Sequence, residues 1–342
     1  MSVLLVVLGF VLIVVALWDA TSTMVSVEGG GPITSRIGQA VFRTLARLSP
    51  DPHSRVQSKG GEAISFLVIL LWITLLWAGW TVIFLSASGA VVDTATGDPA
   101  GLVDTIYFAG FGLFTLGVGD FRPAPGFFQI ATALSSLSGL FLVTVGISYL
   151  LSLTNAVAER RGVAAVISGL GHSGEEILRT SWNGRDFSGL EHQLATLASG
   201  VAALAEQHLA KPVLHYFHSP NRHTALEPSV VSLYEAVLLL QYAVEPGVRP
   251  RPPSLGATKA ACVRLFEVYR QVFVRHPVDE VAEPCLDALE EAGIPLRPAA
   301  DVRRDLEGER ETRLLAASLL AESGWPPASA DYDAPGYEPM RH

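Results

Sequence analysis

The sequence predicts an all-α membrane protein in which spanning helices come first and a soluble α-helical domain follows. Apolar runs occupy Val3 to Trp18, Ala63 to Ser86 and Phe127 to Leu153, against the roughly 20 apolar residues that a helix needs to cross a bilayer. Charged residues are only 17% of the chain, and they are sparse in those runs. After Glu159, Arg160 and Arg161 the apolar residues return at helical intervals, as in Cys262, Leu265, Phe266, Tyr269, Val272 and Phe273. A chain of 342 residues has room for both parts.

The first element, residues 1–20, reads as an N-terminal transmembrane helix. It lacks the basic start and the small-residue cleavage site of a signal peptide, so it is expected to be retained. The next stretch, 21–62, is a loop carrying Arg36, Arg43, Arg47, Arg55 and Lys59, whereas Glu62 to Phe121 contains no Lys or Arg but includes Asp93, Asp98, Asp104 and Asp120. Positive charge stays on the cytoplasmic side, which places the 21–62 loop and the C-terminal domain inside and the N-terminus outside a cell membrane crossed several times. Within that loop Ile37, Val41, Leu45 and Leu48 share one helical face and Arg36, Arg43 and Arg47 the other. Such a helix either lies on the cytoplasmic membrane surface among lipid headgroups or packs on the soluble domain. Its arginines do not recur every third residue along an apolar span, as a voltage sensor requires.

Residues 63–155 hold the most informative pattern. Between two spanning runs, GLVDTIYFAGFGLFTLGVGD (101–120) is a short apolar stretch ending in alternating glycines. It is too short to span but suits a re-entrant helix and loop, a form that requires irregular backbone to face protein or water. Rings of backbone carbonyls replace the water shell of a dehydrated cation. Turning successive carbonyls toward one axis needs backbone angles that glycine adopts freely, a reason for Gly117 and Gly119. Thr115 adds a hydroxyl at the inner end, while Leu116 and Val118 are expected to point into packing behind the loop.

This segment resembles the pore module of the potassium channel family, the two-transmembrane bacterial type, in which outer helix, pore helix, T-x-G-x-G-D filter and inner helix follow in this order. The resemblance covers roughly residues 62 to 155. It implies a homotetramer passing potassium ions through Thr115, Leu116, Gly117, Val118 and Gly119, with Asp120, Tyr107 and Phe108 supporting the filter. Gly139, 20 residues after Gly119, falls where the family commonly has a hinge glycine, and Gly146 follows it. Hinge and close helix packing are both open for these two. Val143, Ile147 and Leu151 recur every four residues and would line a cavity, form an apolar gate or pack against a neighbouring helix. Departures from the family pattern are Val118 in place of an aromatic residue, Phe114 in place of Thr, and Phe108 without a polar hydrogen. An apolar contact between Val118 and Phe108 would be self-consistent. Tyr107 stands where the family often has Trp, and its hydroxyl is placed to serve Asp120.

The domain at 156–323 is expected to be helical and cytoplasmic, with a proline-rich connection at Pro246 to Gly256 and a disordered tail at 324–342. Gly169 to Gly174 satisfies G-x-G-x-x-G, but no strand pattern precedes it and Leu190, Leu194, Leu197, Val201 and Leu204 follow at helical spacing, so a glycine-rich turn between helices is the better reading. His208, His215, His218 and His223 lie close in sequence, yet Pro212 and Pro220 interrupt them, and ordinary packing is preferred to a metal site. Cys262 and Cys285 match neither a zinc site nor a disulfide framework. The net charge of −9, without a basic block, argues against a nucleic-acid partner.

The function expected from the sequence is a passive potassium, or potassium-like monovalent-cation, channel filtering at 115–120, with membrane lipid, permeant ions and its own copies as partners. It requires no cofactor and is not an enzyme. The alternative is a non-conducting or regulatory membrane protein built on the same module. A nucleotide-dependent enzyme on a membrane anchor is a third class, and would be marked by NAD or ATP binding.

Overall fold

The computed structural model describes residues 1–25, 30–48, 59–217, 219–272 and 277–326. Arg55, His218, Phe273, the tail from 327 and the side chains of Leu45, Arg47, Leu48 and Val272 lie outside the described positions. The chain is mostly helical and divides into two units, residues 1–43, 62–154 and 210–213 in the first and the remainder in the second.

In the first unit three helices are long and apolar enough to cross a membrane: α1 (Val3–Val25), α3 (Gly60–Phe84) and the start of α5 (Phe127–Leu170). Helix α3 buries Ile64, Val68, Trp72, Leu76, Trp80 and Ile83, a row at helical spacing, and exposes Phe66 and Leu70 on the other side. Helices α1 and α3 meet through small residues: a Cβ on Gly9 would lie 2.6 Å from the Gly79 carbonyl, and one on Gly79 would lie 2.9 Å from the Gly9 carbonyl. Where lipid offers no hydrophobic drive to bring helices together, this close approach is what van der Waals packing needs.

The amphipathic helix α2 (Pro32–Leu48) is fixed by a carboxylate from α1. Asp19, 1% exposed, accepts the Ile33 N–H (2.8 Å), the Thr34 N–H (3.2 Å), the Thr34 hydroxyl (2.6 Å) and the Trp72 indole N–H (2.9 Å). It thereby caps donors that the first turn of α2 cannot satisfy within the helix, and ties α2 to α3 as well. Gly31 leaves room for this, since a Cβ there would lie 2.3 Å from Asp19 Oδ1. Arg36, Gln39 and Arg43 face outward while Ile37, Gly38 and Val41 turn inward.

A short helix α4 (Leu102–Leu113) sits between α3 and α5 in sequence, flanked by β1 (Val91–Asp93) and β2 (Phe121–Pro123). These strands pair antiparallel, Val91 with Pro123, Val92 with Arg122 and Asp93 with Phe121, an addition to the all-α expectation. Helix α5 also runs on to Leu170, well beyond the apolar run that ends at Leu153.

The second unit is helical. It contains α6 (Gly174–Ser181), α7 (Ser188–Ala210), α8 (Leu226–Tyr242), α9 (Pro252–Val272), α10 (Asp287–Glu291), α11 (Ala299–Glu307) and α12 (Arg310–Glu322). Helix α8 is buried nearly all round, with α6, α9, α11 and α12 against it, as its apolar sequence requires. The glycine-rich segment is the turn between α5 and α6: Ser173 caps α6 through the Glu176 N–H (3.1 Å), and Glu176 returns a bond to the His172 N–H (2.6 Å). Gly174 permits close packing there, because a Cβ would lie 2.8 Å from the Ala236 nitrogen.

Candidate ion-binding segment

Helix α4 is built to stop in mid-structure. Asp104 caps its start by accepting the Gly101 N–H (3.0 Å), and its 12 residues rise roughly 18 Å, well short of a bilayer core of roughly 30 Å. A tryptophan of α3 holds it in place. The Trp77 indole donates to the Ile106 carbonyl (2.9 Å), and its ring lies 3.0 Å from where a Cβ on Gly110 would be. Phe108 is buried edge-on against Phe84 and Phe111, both at 5.0 Å. Val118 is 58% exposed in the single chain. Leu116 is likewise exposed, at 66%.

The segment after α4 hangs from its last turn. The Phe114, Leu116 and Thr115 N–H groups donate to the carbonyls of Gly110 (2.9 Å), Phe111 (2.9 Å) and Gly112 (3.2 Å). From there the backbone alternates: φ is +57° at Thr115, +61° at Gly117 and +86° at Gly119, with Leu116 and Val118 between them outside the positive range. Alternating the sign of φ turns successive peptide carbonyls toward one side. Thr115 is the only non-glycine at positive φ among the described residues, a conformation that strains a β-branched residue by about 1–3 kcal/mol. Open space surrounds Gly117 and Gly119, so dihedral freedom and not crowding accounts for glycine at both.

Beyond the alternating segment, the backbone is clamped again. Thr94 donates its hydroxyl to the Gly119 carbonyl (3.0 Å) and its N–H to the Asp120 carbonyl (2.9 Å), and the β1–β2 pair holds the residues that follow. The Tyr107 side chain lies near the Asp120 carboxylate, which accepts the Phe121 N–H (3.1 Å). Among the described residues, no donor reaches the carbonyls of Thr115, Leu116, Gly117 and Val118. The Gly119 carbonyl thus differs from the four before it in having a donor, Thr94, on one of its two lone pairs. A sequence reading passes over Thr94 because this bond spans 25 residues and follows no local spacing rule.

Gly139 stands against this arrangement. A Cβ there would fall 2.0 Å from the Leu113 carbonyl, so α5 and the end of α4 touch backbone to backbone. Ser136 adds a hydrogen bond to the Gly112 carbonyl (2.7 Å). At Gly146 the nearest group, Ile69 Cγ2, would lie at an ordinary 3.8 Å. Val143, Ile147 and Leu151 are 46%, 55% and 61% exposed in the single chain. Among the described residues there is no cluster of three or more side chains that would hold a metal ion.

No protein-family model and no solved structure matches this chain. It is 29% identical over 325 residues, 94% of its own length and 95% of the relative's, to a Bacillus subtilis (strain 168) protein named "Uncharacterized membrane protein YdjJ". With its three long apolar helices, this similarity marks the chain as a membrane protein.

Proposed function

We propose that the chain is one subunit of a homotetrameric potassium, or potassium-like monovalent-cation, channel of the cell membrane, with the N-terminus outside and the second unit in the cytoplasm. The observation that carries this reading is the run of four successive carbonyls, Thr115 to Val118, that lack donors on a backbone alternating in the sign of φ. Backbone polar groups at membrane depth need partners, and dehydrated cations are suitable ones. The C-terminal end of α4, where the helix dipole is negative, leads directly into this segment and favours a cation there.

One chain supplies one such segment, so an axial path needs several copies, and four is the number that the resemblance implies. Leu116 and Val118, exposed in a single chain, are then covered by neighbouring subunits. Potassium is the transported ion, not a resident cofactor. A second reading, a non-conducting relative, is favoured by one observation: the Gly119 carbonyl already has a donor, Thr94, on one of its two lone pairs.

Flux through purified protein in liposomes separates the two. Conduction predicts potassium flux above sodium flux, abolished by Gly117→Ala. Equal fluxes, both lost in the variant, would retain the pore and reject potassium selectivity. Absence of flux for either ion across a range of pH and voltage would favour the non-conducting relative.

A further inference from the structure

The second unit buries a chain of titratable groups that ion conduction does not require. His208, in the last turn of α7, and His215, beyond Pro212, are 1% and 2% exposed, with Nδ1 atoms 3.4 Å apart. Tyr269 of α9 lies with its hydroxyl 3.4 Å from His208 Nε2 and 3.2 Å from Glu227 Oε1 of α8. Arg160 of α5 reaches the same Glu227 oxygen (2.5 Å) and donates to the carbonyls of Leu214 (3.0 Å) and Phe217 (2.5 Å), on either side of His215.

Proton directions along this chain follow from the inventory of donors and acceptors. Glu227, paired with Arg160, is an acceptor, so the single Tyr269 proton points to it. The Tyr269 oxygen then accepts from His208 Nε2–H, which leaves His208 Nδ1 as a lone pair for His215 Nδ1–H. Both ring nitrogens of neutral His208 are then used. A second proton on His208 would turn two N–H groups toward each other in a dry site that already holds the Arg160 cation.

We propose that His208 and His215, with Tyr269, Glu227 and Arg160, form a proton-sensitive latch that holds the 214–217 segment on Arg160 at neutral pH and loosens on acidification. The same direction follows from the His208 environment, where burial first, then His215 and Arg160, keep its pKa well below the usual histidine value. Below about pH 6.5 an opened segment binds a proton that the closed one refuses, so opening gains about tenfold per pH unit for each histidine excluded from protonation. Arg160 belongs to the same continuous helix as Val143, Ile147 and Leu151, so release would act on the end of α5. The inference does not depend on the channel reading.

Hydrogen exchange of the full chain in detergent, corrected for the intrinsic pH dependence of exchange, tests it. Between about pH 7.5 and about pH 5.5, protection in the last turn of α7 and at 214–217 should fall at least about tenfold, while α12, which contains no histidine, keeps its protection. In His208→Gln, which retains one donor and one acceptor but cannot take up the proton, the fall should disappear. Unchanged protection in the native chain would overturn the latch, as would an equal fall in a folded His208→Gln protein. Should the variant not fold, the native comparison with α12 decides alone.

Discussion

Single residues fix the geometry of the 115–118 segment, and substitutions at them have predictable signs. At Gly139 a methyl group would meet the Leu113 carbonyl at 2.0 Å, so Gly139→Ala should cost about 1–3 kcal/mol and lower the thermal stability of the purified protein. Gly146→Ala, with open contact distances, should be nearly neutral in the same melt. This contrast separates two glycines that the sequence presents alike, and it favours packing over a hinge at Gly139. Thr94→Val removes the hydroxyl that holds the Gly119 carbonyl, at a cost of about 1 kcal/mol. If that carbonyl then turns inward, ion selectivity should change more than expression or stability does; unchanged selectivity would assign Thr94 a purely structural role. The glycine alternation was legible from the chain because few other residues accept positive φ, whereas Thr115 in the same conformation was not, since its β-branch argues against it.

At the scale of elements, the spanning helices were legible because apolar length is a strong constraint in a bilayer. The polar face of α2 was legible too, at Arg36 and Arg43. What anchors α2 was not, because Asp19 acts across the chain on Ile33, Thr34 and Trp72. Asp19→Ala strips these donors of their acceptor and should destabilise the protein by at least about 2 kcal/mol in thermal unfolding. Asp19→Asn retains one carbonyl acceptor and should lose less; an equal loss would locate the effect in the charge and not in the cap. Strands β1 and β2, three residues each, are too short for alternation to register. Helix α5 passes its apolar run because Glu159, Arg160 and Arg161 are good helix formers, so hydropathy marks the end of the span and not the end of the helix.

For the whole molecule, order along the chain was the legible part: apolar helices first, then a helical unit whose most buried element, α8, is its most apolar. The grouping of Arg160, His208, His215, Glu227 and Tyr269 was not legible, because they come from different elements and meet only on folding. That group and the 115–118 segment are two of the places where the fold gathers polar atoms. The central claim concerns the second of them: backbone carbonyls of Thr115 to Val118 bind dehydrated monovalent cations on a symmetry axis. The most direct measurement is anomalous scattering from crystals of the assembled protein grown in rubidium, an ion that stands in for potassium. The account predicts rubidium peaks on a four-fold axis at the level of these carbonyls, lost in Gly117→Ala. Carbonyls hydrogen-bonded to a neighbouring chain, with no ion between them, would contradict it.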